Sequence, residues 1–302
     1  MFALSPTAPT KPLGHLQWTG LSGSALSLAI LSLAEQQQRP VVVIVANSQL
    51  QQRLLAELEF FNNKALRLLD FPSWETLPYD NFSPHQDLVS ERLHTLAKLP
   101  QLKQGLLVTT VATLMQSLAP RAYIDSHCFQ LSTGMTFELK PWRERLIQAG
   151  YQVVAQVLVP GEFAQRGALI DIFPMGSKLP FRLELFDDEI ESIRTFDIES
   201  QRTLEKIAAI DLLPAREFPL DAQGIALFRQ QWRAEFSGNP STSPLYESIS
   251  QGNAAAGIEY YLPLFFQKTA SLWDYLPSNT ILLRVDELFP AAEKFWIEIK
   301  ER

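Results

Sequence analysis

The first third of the chain alternates helical and extended hydrophobic patterns. Apolar residues at helical spacing predict helices at 24–36 and 49–61, and apolar, β-branched runs predict strands at 41–46, 66–69 and 106–111, the last followed by a helix at 113–118. The uninterrupted apolar character of 106–111 is typical of a buried strand in a parallel sheet. Helices that alternate with such strands predict a three-layer α/β domain.

From about residue 123 the pattern changes to short runs of period two. We expect one helix at 141–149 and strands at 153–159, 168–173, 181–186 and 190–196. The sequences MGSK and FDDE supply the turn chemistry for consecutive hairpins. These features predict a small α+β domain inserted into the α/β domain.

After a strand at 208–213 the chain returns to helix and strand. A helix is expected at 221–236, then a polar linker SGNPSTSP, a strand at 280–285 and a last helix. The predicted organisation is therefore an α/β domain that is discontinuous in sequence. Its first part is 1–123, the inserted domain is 124–211, and its second part is 212–302.

A capping signal precedes the helix expected before residue 99. Ser83, Pro84 and Gln86 stand in the order of an N-cap, a first-turn proline and the third residue of a capping box. This order predicts that the helix begins directly after Ser83.

The strand predicted at 181–186 has an unusual polar side. Phe181, Leu183 and Leu185 share one side because side chains alternate along a strand, which leaves Arg182 and Phe186, with Glu184, on the other. An aromatic ring beside a guanidinium on a solvent-facing side is typical of a protein-binding surface. The alternative is that Arg182 pairs with Glu184 or a neighbouring acid and that Phe186 folds over a hairpin edge.

Composition and charge argue against several classes of function. The 302 residues carry a formal net charge of −7, which argues against a dedicated nucleic-acid-binding protein. One cysteine, Cys128, and four histidines without metal-ligand spacing predict a cytoplasmic protein without a metal site. No segment has the pattern of a signal peptide or a membrane span, so no membrane partner is expected.

The segment TGLSGSALS lies where a phosphate-binding loop would open the first helix. A working loop needs G-x-x-x-x-G-K-[ST], because the lysine reaches the phosphates and the hydroxyl holds magnesium. Gly20 keeps the first glycine and Ser27 keeps the hydroxyl, but Ala25 replaces the second glycine and Leu26 occupies the lysine position. The segment is thus either a degenerate phosphate loop or an ordinary Gly/Ser loop, and both interpretations predict no ATPase activity.

Two further groups of side chains could carry chemistry. Trp74 and Tyr79 could stack on single-stranded nucleic acid, although few lysines accompany them, and the favoured interpretation is that they hold a long loop to the domain. An acidic cluster could hold a metal, although a hydrophilic hairpin tip is favoured. Its members are Asp187, Asp188, Glu189 and Glu191.

Four segments resemble the N-terminal region of the bacterial transcription-repair coupling factors, the Mfd family. They are WETLPYDNFSPHQDLVSERLHTL from Trp74, GEFAQRGALIDIFPMGSKLPFRLELFDDEIESIRTFD from Gly161, SQRTLE from Ser200 and GIEYYLPLFF from Gly257. The resemblance covers most of the chain and thins between 219 and 256 and in the first dozen residues. That region is in turn similar to the excinuclease B subunit, with a degenerate, helicase-type ATPase-like α/β domain and an inserted domain that docks on the excinuclease A subunit, UvrA.

The resemblance implies a repair-recruiting module that has kept the adaptor function and lost catalysis. It places the contacts for UvrA on Arg166, Arg182 and Phe186. It also implies that the full-length protein is an ATP-driven translocase on double-stranded DNA, with ATP and magnesium in its motor and RNA polymerase as a partner. This region itself is expected to be a monomer without cofactor or enzymatic activity. The alternatives are one half of a nucleotide-binding ATPase or helicase, and a direct DNA-binding module.

Overall fold

The computed structural model describes residues 14–63 and 65–301. The helices are α1 Ala25–Gln37, α2 Ser48–Asn62, α3 Gln86–Lys98, α4 Val111–Leu114, α5 Arg121–His127, α6 Leu139–Gln148, α7 Ala222–Glu235, α8 Pro244–Ser250 and α9 Leu288–Lys300. The strands are β1 Pro40–Val45, β2 Leu68–Phe71, β3 Gly105–Thr110, β4 Phe129–Ser132, β5 Gln152–Val153, β6 Glu162–Arg166, β7 Leu169–Phe173, β8 Phe181–Phe186, β9 Glu189–Phe196, β10 Thr203–Ile207, β11 Ala209–Leu212 and β12 Ile281–Arg284. Short 3-10 helices occupy Leu99–Gln101, Pro240–Thr242, Ile258–Phe265 and Leu272–Tyr275.

The chain forms two compact units. The first comprises the chain up to Ser73, Lys98–Gln116 and the chain from Tyr275 onwards, and the second comprises Trp74–Ala97 and Ser117–Asp274. The segment predicted as an inserted domain, 124–211, lies within the second unit together with 74–97 and 212–274. The boundaries of the two compact units therefore differ from the boundaries of the three predicted segments.

The first unit is built on a parallel sheet in the order β12-β1-β3-β2. All six residues of β1 and all six of β3 are buried, as expected for strands at the centre of a parallel sheet. Helices α1 and α2 contribute Ile30, Leu33, Leu54 and Leu58 to the same core cluster as the strands. The predicted α/β character and the parallel sheet are confirmed.

The second unit contains a six-stranded sheet in the order β10-β9-β8-β7-β6-β5, in which β5 pairs with β6 in parallel and every other neighbouring pair is antiparallel. Helix α6 packs on one side of this sheet, where Trp142 contacts the ring of Phe163. Strands β4 and β11 form a separate two-stranded sheet. The structure is thus a mixed α/β protein with several sheets.

The strand predicted at 153–159 is wrong. The structure has only a two-residue strand here, Gln152–Val153, and the residues after it up to 159 form a loop. Val157 of this loop is buried among apolar side chains of the sheet, and Glu162 accepts the backbone N–H groups of Leu158 and Val159. The strand lies further along, at Glu162–Arg166. The period-two pattern of the loop reflects packing against a sheet rather than membership of it.

The predicted capping box is also wrong. Helix α3 begins at Gln86, and the Ser83 hydroxyl instead donates to Glu259 and accepts the backbone N–H of Gly257. The Ser83 side chain therefore bonds to residues distant in the sequence and not to the backbone of helix α3.

The sequence patterns also missed the short strands β4 and β10. They placed the end of α4 too late, since this helix ends at Leu114. Within the described part of the chain, no helix is long and apolar enough to cross a membrane.

Candidate protein-binding face

The register of the six-stranded sheet brings the predicted arginines to one side. Residues directly opposite each other in antiparallel strands share a side, so Asp171 of β7 lies beside Arg182 of β8. Arg166 of β6 is opposite Leu169, and Leu169 is opposite Glu184. We call this side the arginine face. The other side carries the buried residues Phe163, Ile170, Ile172, Leu183 and Ile193.

A single carboxylate joins the two arginines. Arg182 donates from Nε to Oδ1 of Asp171 at 2.6 Å and from Nη2 to Oδ2 at 2.9 Å. Arg166 donates from Nη2 to the same Oδ2 at 2.5 Å. The third donor group of Arg182, Nη1, reaches the backbone oxygen of Gln201 at 3.2 Å. A bidentate pair of this kind is the strongest arrangement that arginine makes with a carboxylate.

The two arginines differ in how much of them faces solvent. The Arg182 side chain is 15% exposed and the Asp171 side chain is 2% exposed, whereas Arg166 is 52% exposed. The Arg182 guanidinium lies 4.8 Å from the centroid of the Phe196 ring. Its hydrogen bonds to Asp171 raise the pKa of Arg182 above its usual value, against the opposing effect of burial. Arg182 is therefore held within the domain, and Arg166 extends towards solvent.

Phe186 lies on the same face at its solvent-exposed end. It is the last residue of β8, is 68% exposed, and is directly opposite Glu189. Leu169 is also exposed on this face, between Arg166 and Glu184. At the other end, Ala164, Phe173 and Phe196 are buried beneath the 153–159 loop. Only one end of the arginine face is thus open to a partner, and it combines apolar and charged side chains.

The sequence analysis did not identify Asp171, Leu169 and Arg194 as residues of the arginine face. Arg194 of β9 is directly opposite Arg182, and its Nε is buried without a hydrogen-bond partner among the described residues. Each of the three lies in an alternating strand, but the strand pattern alone does not say which side faces a partner. The pairing register of β7, β8 and β9 supplies that information.

Residues 129–218 match the family described as the UvrB interaction domain. This range includes every strand from β4 to β11, and hence the arginine face. The chain is 45% identical over 291 residues to the transcription-repair-coupling factor of Escherichia coli (strain K12), covering 96% of this chain and 25% of that protein. This chain is a homologue of the transcription-repair-coupling factors.

Other coupling factors are also similar to this chain over most of its length. The factor of Haemophilus influenzae is 44% identical over 98% of this chain and 26% of its own length. The factor of Bacillus subtilis (strain 168) is 30% identical over 89% of this chain and 24% of its own length. The chain spans about a quarter of the length of the curated relatives it matches. It is thus related to one region of these DNA-repair proteins.

The candidate phosphate loop of this coupling-factor homologue is built around apolar packing. Helix α1 begins at Ala25, and Leu26 packs against the core of the first unit. Ser27 is fully buried, and its hydroxyl donates to Oε2 of Glu57 at 2.5 Å. Gly20 has a φ of 74°, in the region that favours glycine. The hydroxyl that would hold magnesium in a working loop is therefore engaged by a carboxylate.

The aromatic loop 74–83 is attached to the second unit through buried contacts. Trp74 is buried, its Nε1 donates to Oε1 of Glu217 at 3.4 Å, and its ring meets that of Tyr260 edge to face. Tyr79 is half-exposed and contacts Tyr260 and Tyr261. Because Trp74 is not accessible, it cannot stack on a base, and the loop-holding interpretation is confirmed for this residue.

The acidic cluster lies at the tip of the hairpin formed by β8 and β9. Asp187 and Asp188 form the turn, and Asp187 has a φ of 49°. Among residues 14–63 and 65–301, no group of three or more histidine, cysteine and acidic side chains is arranged to hold a metal ion. Asp187 and Asp188 thus form the hydrophilic hairpin tip that the sequence pattern favoured, and Glu189 and Glu191 belong to the adjoining strand β9.

Proposed function

We propose that this chain is the repair-recruiting region of a transcription-repair-coupling factor and that its arginine face docks the UvrA subunit of nucleotide excision repair. The observation that carries the proposal is the strongly exposed Phe186 ring on the same face as a half-exposed Arg166, within the segment that matches the UvrB interaction domain. Arg166, Arg182 and Phe186 are the proposed binding residues, as the resemblance implies.

The composition of the face suits a protein partner. Aromatic and arginine side chains dominate the binding energy of protein interfaces, because a ring fills a pocket and a guanidinium pairs with a carboxylate. Among the described residues Arg166 donates only from Nη2, so its other nitrogens can donate to an acidic group of the partner. The partner surface should therefore offer both an apolar pocket and a carboxylate.

Isothermal titration calorimetry with purified UvrA tests the proposal. We expect saturable binding that Phe186→Ala weakens by about 2 kcal/mol, or roughly thirtyfold in Kd. Phe289→Ala is the matched control, because Phe289 is 76% exposed on α9 of the other unit. Equal losses for the two variants, or no binding by the folded unmodified chain, would contradict docking through this face.

Arg166→Ala is a better second variant than a charge reversal of Arg182. A glutamate at position 182 would lie against the buried Asp171 carboxylate, and two adjacent buried carboxylates would destabilise the sheet itself. Loss of binding by Arg182→Glu would then report on folding. Arg166→Ala removes a half-exposed side chain and leaves the Arg182 pair with Asp171 in place.

We further propose that the first unit is a degenerate, helicase-type ATPase-like domain that binds no nucleotide and needs no cofactor. The support is that Leu26 stands at the lysine position and that the Ser27 hydroxyl is bound to Glu57. Calorimetric titration with ATP and magnesium should show no saturable binding. ATP binding that is lost in Ser27→Ala would instead support the alternative of a nucleotide-binding ATPase half.

The complete protein is proposed to act in the cytoplasm as an ATP-driven double-stranded DNA translocase that displaces stalled RNA polymerase, with this region recruiting UvrA to the site. The support is the similarity to coupling factors over a quarter of their length. The described region itself is proposed to be a monomeric, non-enzymatic docking module. Steeply salt-dependent binding of this chain to DNA without a partner would favour the direct DNA-binding alternative.

A further inference from the structure

A polar pocket lies within the second unit, outside the arginine face. Its volume is about 360 Å³. Helix α7 contributes Arg229 and Arg233 to its lining, the 3-10 turn contributes Asn239 and the two residues after it, and α8 contributes a side that includes Tyr246 and Glu247. None of these side chains belongs to the arginine face or to the candidate phosphate loop. The pocket is therefore a separate candidate site.

Helix α7 orients two arginines towards the pocket. Its residues Phe228 and Trp232 are buried, and their rings contact the ring of Tyr246 on α8. Arg229 and Arg233 each follow one of these buried residues in the sequence, so they form a neighbouring stripe one helical turn apart. Aromatic packing thus fixes the rotation of α7, and this rotation brings both arginines to the pocket lining.

Neither arginine has a carboxylate partner in the described part of the chain. Arg229 donates from Nε to the Tyr246 hydroxyl at 3.4 Å, and the Arg233 side chain makes no hydrogen bond or ion pair among residues 14–63 and 65–301. Glu247 also lines the pocket, but it forms an ion pair with neither arginine. The lining therefore carries two positive charges against one negative charge. Most N–H groups of both guanidinium groups remain able to donate to a ligand.

Uncharged polar groups complete the lining. The Oγ atom of Ser250 is buried and makes no hydrogen bond of ordinary geometry among the described residues. Buried hydroxyl groups in native proteins nearly always have a partner, and a ligand oxygen in the pocket would supply one after a rotation about the Ser250 Cα–Cβ bond. Asn239 accepts the backbone N–H of Ser241 with Oδ1, and its Nδ2 donates to no other described residue. The pocket is thus rich in hydrogen-bond donors.

This set of donors favours a phosphate group as the ligand. Arginine pairs with phosphate through two N–H groups, and two arginines one turn apart can each bind a different oxygen. A phosphate monoester carries a charge between about −1.5 and −2 at neutral pH, which two guanidinium groups balance. A singly charged carboxylate would leave one of the two guanidinium groups unpaired.

The size and the remaining charge of the pocket limit what the phosphate is attached to. Ligand sites in proteins usually have volumes of about 300–1,000 Å³, so this pocket is among the smaller ones. It would not enclose a nucleoside triphosphate. Glu247 repels a further phosphate of an extended polyanion but can accept hydrogen bonds from hydroxyl groups. The attached group should therefore be small and hydroxylated, like a sugar.

We propose that the pocket between α7 and α8 binds a small phosphate monoester such as a sugar phosphate, with its phosphate group between Arg229 and Arg233 and its hydroxyl groups next to Glu247. The site is distinct from the proposed UvrA docking and does not rest on it. Because no residue of the arginine face lines the pocket, failure of one proposal leaves the other testable.

An NMR titration of the 15N-labelled chain with ribose 5-phosphate tests the proposal. We expect saturable shifts of the Nε–H signals of Arg229 and Arg233, with a Kd below about 1 mM. Arg233→Ala should weaken binding at least about tenfold, because hydrogen bonds to charged groups are the stronger ones. Arg143→Ala is the matched control, because Arg143 is exposed on helix α6 and does not line the pocket. No saturation below about 10 mM, or equal losses for the two variants, would overturn the proposal.

Further ligands separate the possible sources of the phosphate. Ribose without phosphate should not bind, and inorganic phosphate should bind more weakly than ribose 5-phosphate because it lacks the sugar hydroxyl groups. A short DNA strand with a 5′-phosphate should bind no more tightly than inorganic phosphate. Tighter binding of the DNA strand than of ribose 5-phosphate would assign the pocket to nucleic acid and overturn the small-molecule assignment. Equal binding of sulfate and ribose 5-phosphate would also overturn it, because the pocket would then bind any oxyanion.

Glu247→Ala tests where the sugar lies. The substitution removes a negative charge, so inorganic phosphate should bind more tightly than it does to the unmodified chain. It also removes the acceptor for the sugar hydroxyl groups, so the preference for ribose 5-phosphate over inorganic phosphate should fall at least about twofold. Glu235→Ala is the control, because Glu235 is exposed on α7 and does not line the pocket. An unchanged preference in folded Glu247→Ala protein would overturn the proposed orientation of the ligand.

Discussion

Replacement of Glu217 by glutamine should strongly destabilise the second unit. Arg92 of α3 and Glu217 are both buried, with Nε and Oε1 2.7 Å apart and Nη2 and Oε2 3.5 Å apart. The Arg92 guanidinium also lies 4.6 Å from the centroid of the Trp74 ring, and Trp74 donates to the same Oε1. The pair thus connects α3, the aromatic loop and the segment after β11.

The expected loss of stability follows from removing one member of a buried ion pair. Glutamine has nearly the shape of glutamate and keeps one acceptor oxygen, so little packing is lost. Arg92, however, stays charged and buried after losing the carboxylate of Glu217, and removal of one member of a buried ion pair costs about 3–5 kcal/mol in other proteins. Because the amide oxygen of glutamine can still accept one hydrogen bond from Arg92, we expect the lower end, about 3 kcal/mol. This is a large part of the stability of a typical domain, about 5–15 kcal/mol.

Urea unfolding followed by tryptophan fluorescence measures the change. Trp74, Trp142, Trp232 and Trp273 lie in the second unit, so this signal reports mainly on that unit. With a slope of about 1–3 kcal/mol per molar urea, Glu217→Gln should lower the midpoint by at least about 1 M.

Glu191→Gln is the matched control for that experiment, because Glu191 is exposed on β9 and makes no ion pair among the described residues. It should change the unfolding free energy by less than about 0.5 kcal/mol. A loss below about 1 kcal/mol for Glu217→Gln, with an unchanged slope, would refute the argument that Arg92 depends on this carboxylate.

Two further predictions concern the 3-10 helix that follows Gly257. Burial raises the pKa of Glu259 to about 7, against the hydrogen bond from Ser83, so the folded protein holds this proton more tightly than the unfolded chain. The resulting stabilisation is fully present below about pH 4.5 and is lost as the pH rises through 7, and Glu259→Gln should remove this part of the pH dependence of urea unfolding. Gly257→Ala should destabilise the protein more than Gly252→Ala, because both glycines have positive φ, but only at 257 would a Cβ collide with the backbone oxygen of Asp80. We expect about 1 kcal/mol for Gly252→Ala from backbone strain and a further 1–3 kcal/mol for Gly257→Ala in thermal unfolding; equal losses would contradict the collision.

The local patterns of the sequence were sufficient for most helices and strands of the first unit. Apolar, β-branched runs identified β1 and β3 as buried strands, because a parallel sheet covered on its faces needs apolar residues at every position. Alternation also identified the side of β8 on which Arg182 and Phe186 lie. Pattern alone failed at 153–159, where a loop packed against the sheet has the same alternation as a strand.

Only some residues of the candidate site could be predicted from the sequence pattern. Phe186 and Arg182 followed from alternation, whereas Arg166 followed from the resemblance to the coupling factors. Asp171 was not found at all, although it lies in an obvious strand. Its role depends on being opposite Arg182, and that pairing is a property of two strands together.

The sequence by itself therefore determined the kinds of element, the buried sides of the strands and the family. The tertiary structure alone decided which charged groups meet: Asp171 with two arginines, Arg92 with Glu217 across 125 residues, and Ser83 with Glu259 instead of its own helix. The physical reason is that periodicity fixes the direction of each side chain relative to its own element. Strand register and long-range packing fix its partner, and these depend on free energies summed over the whole core.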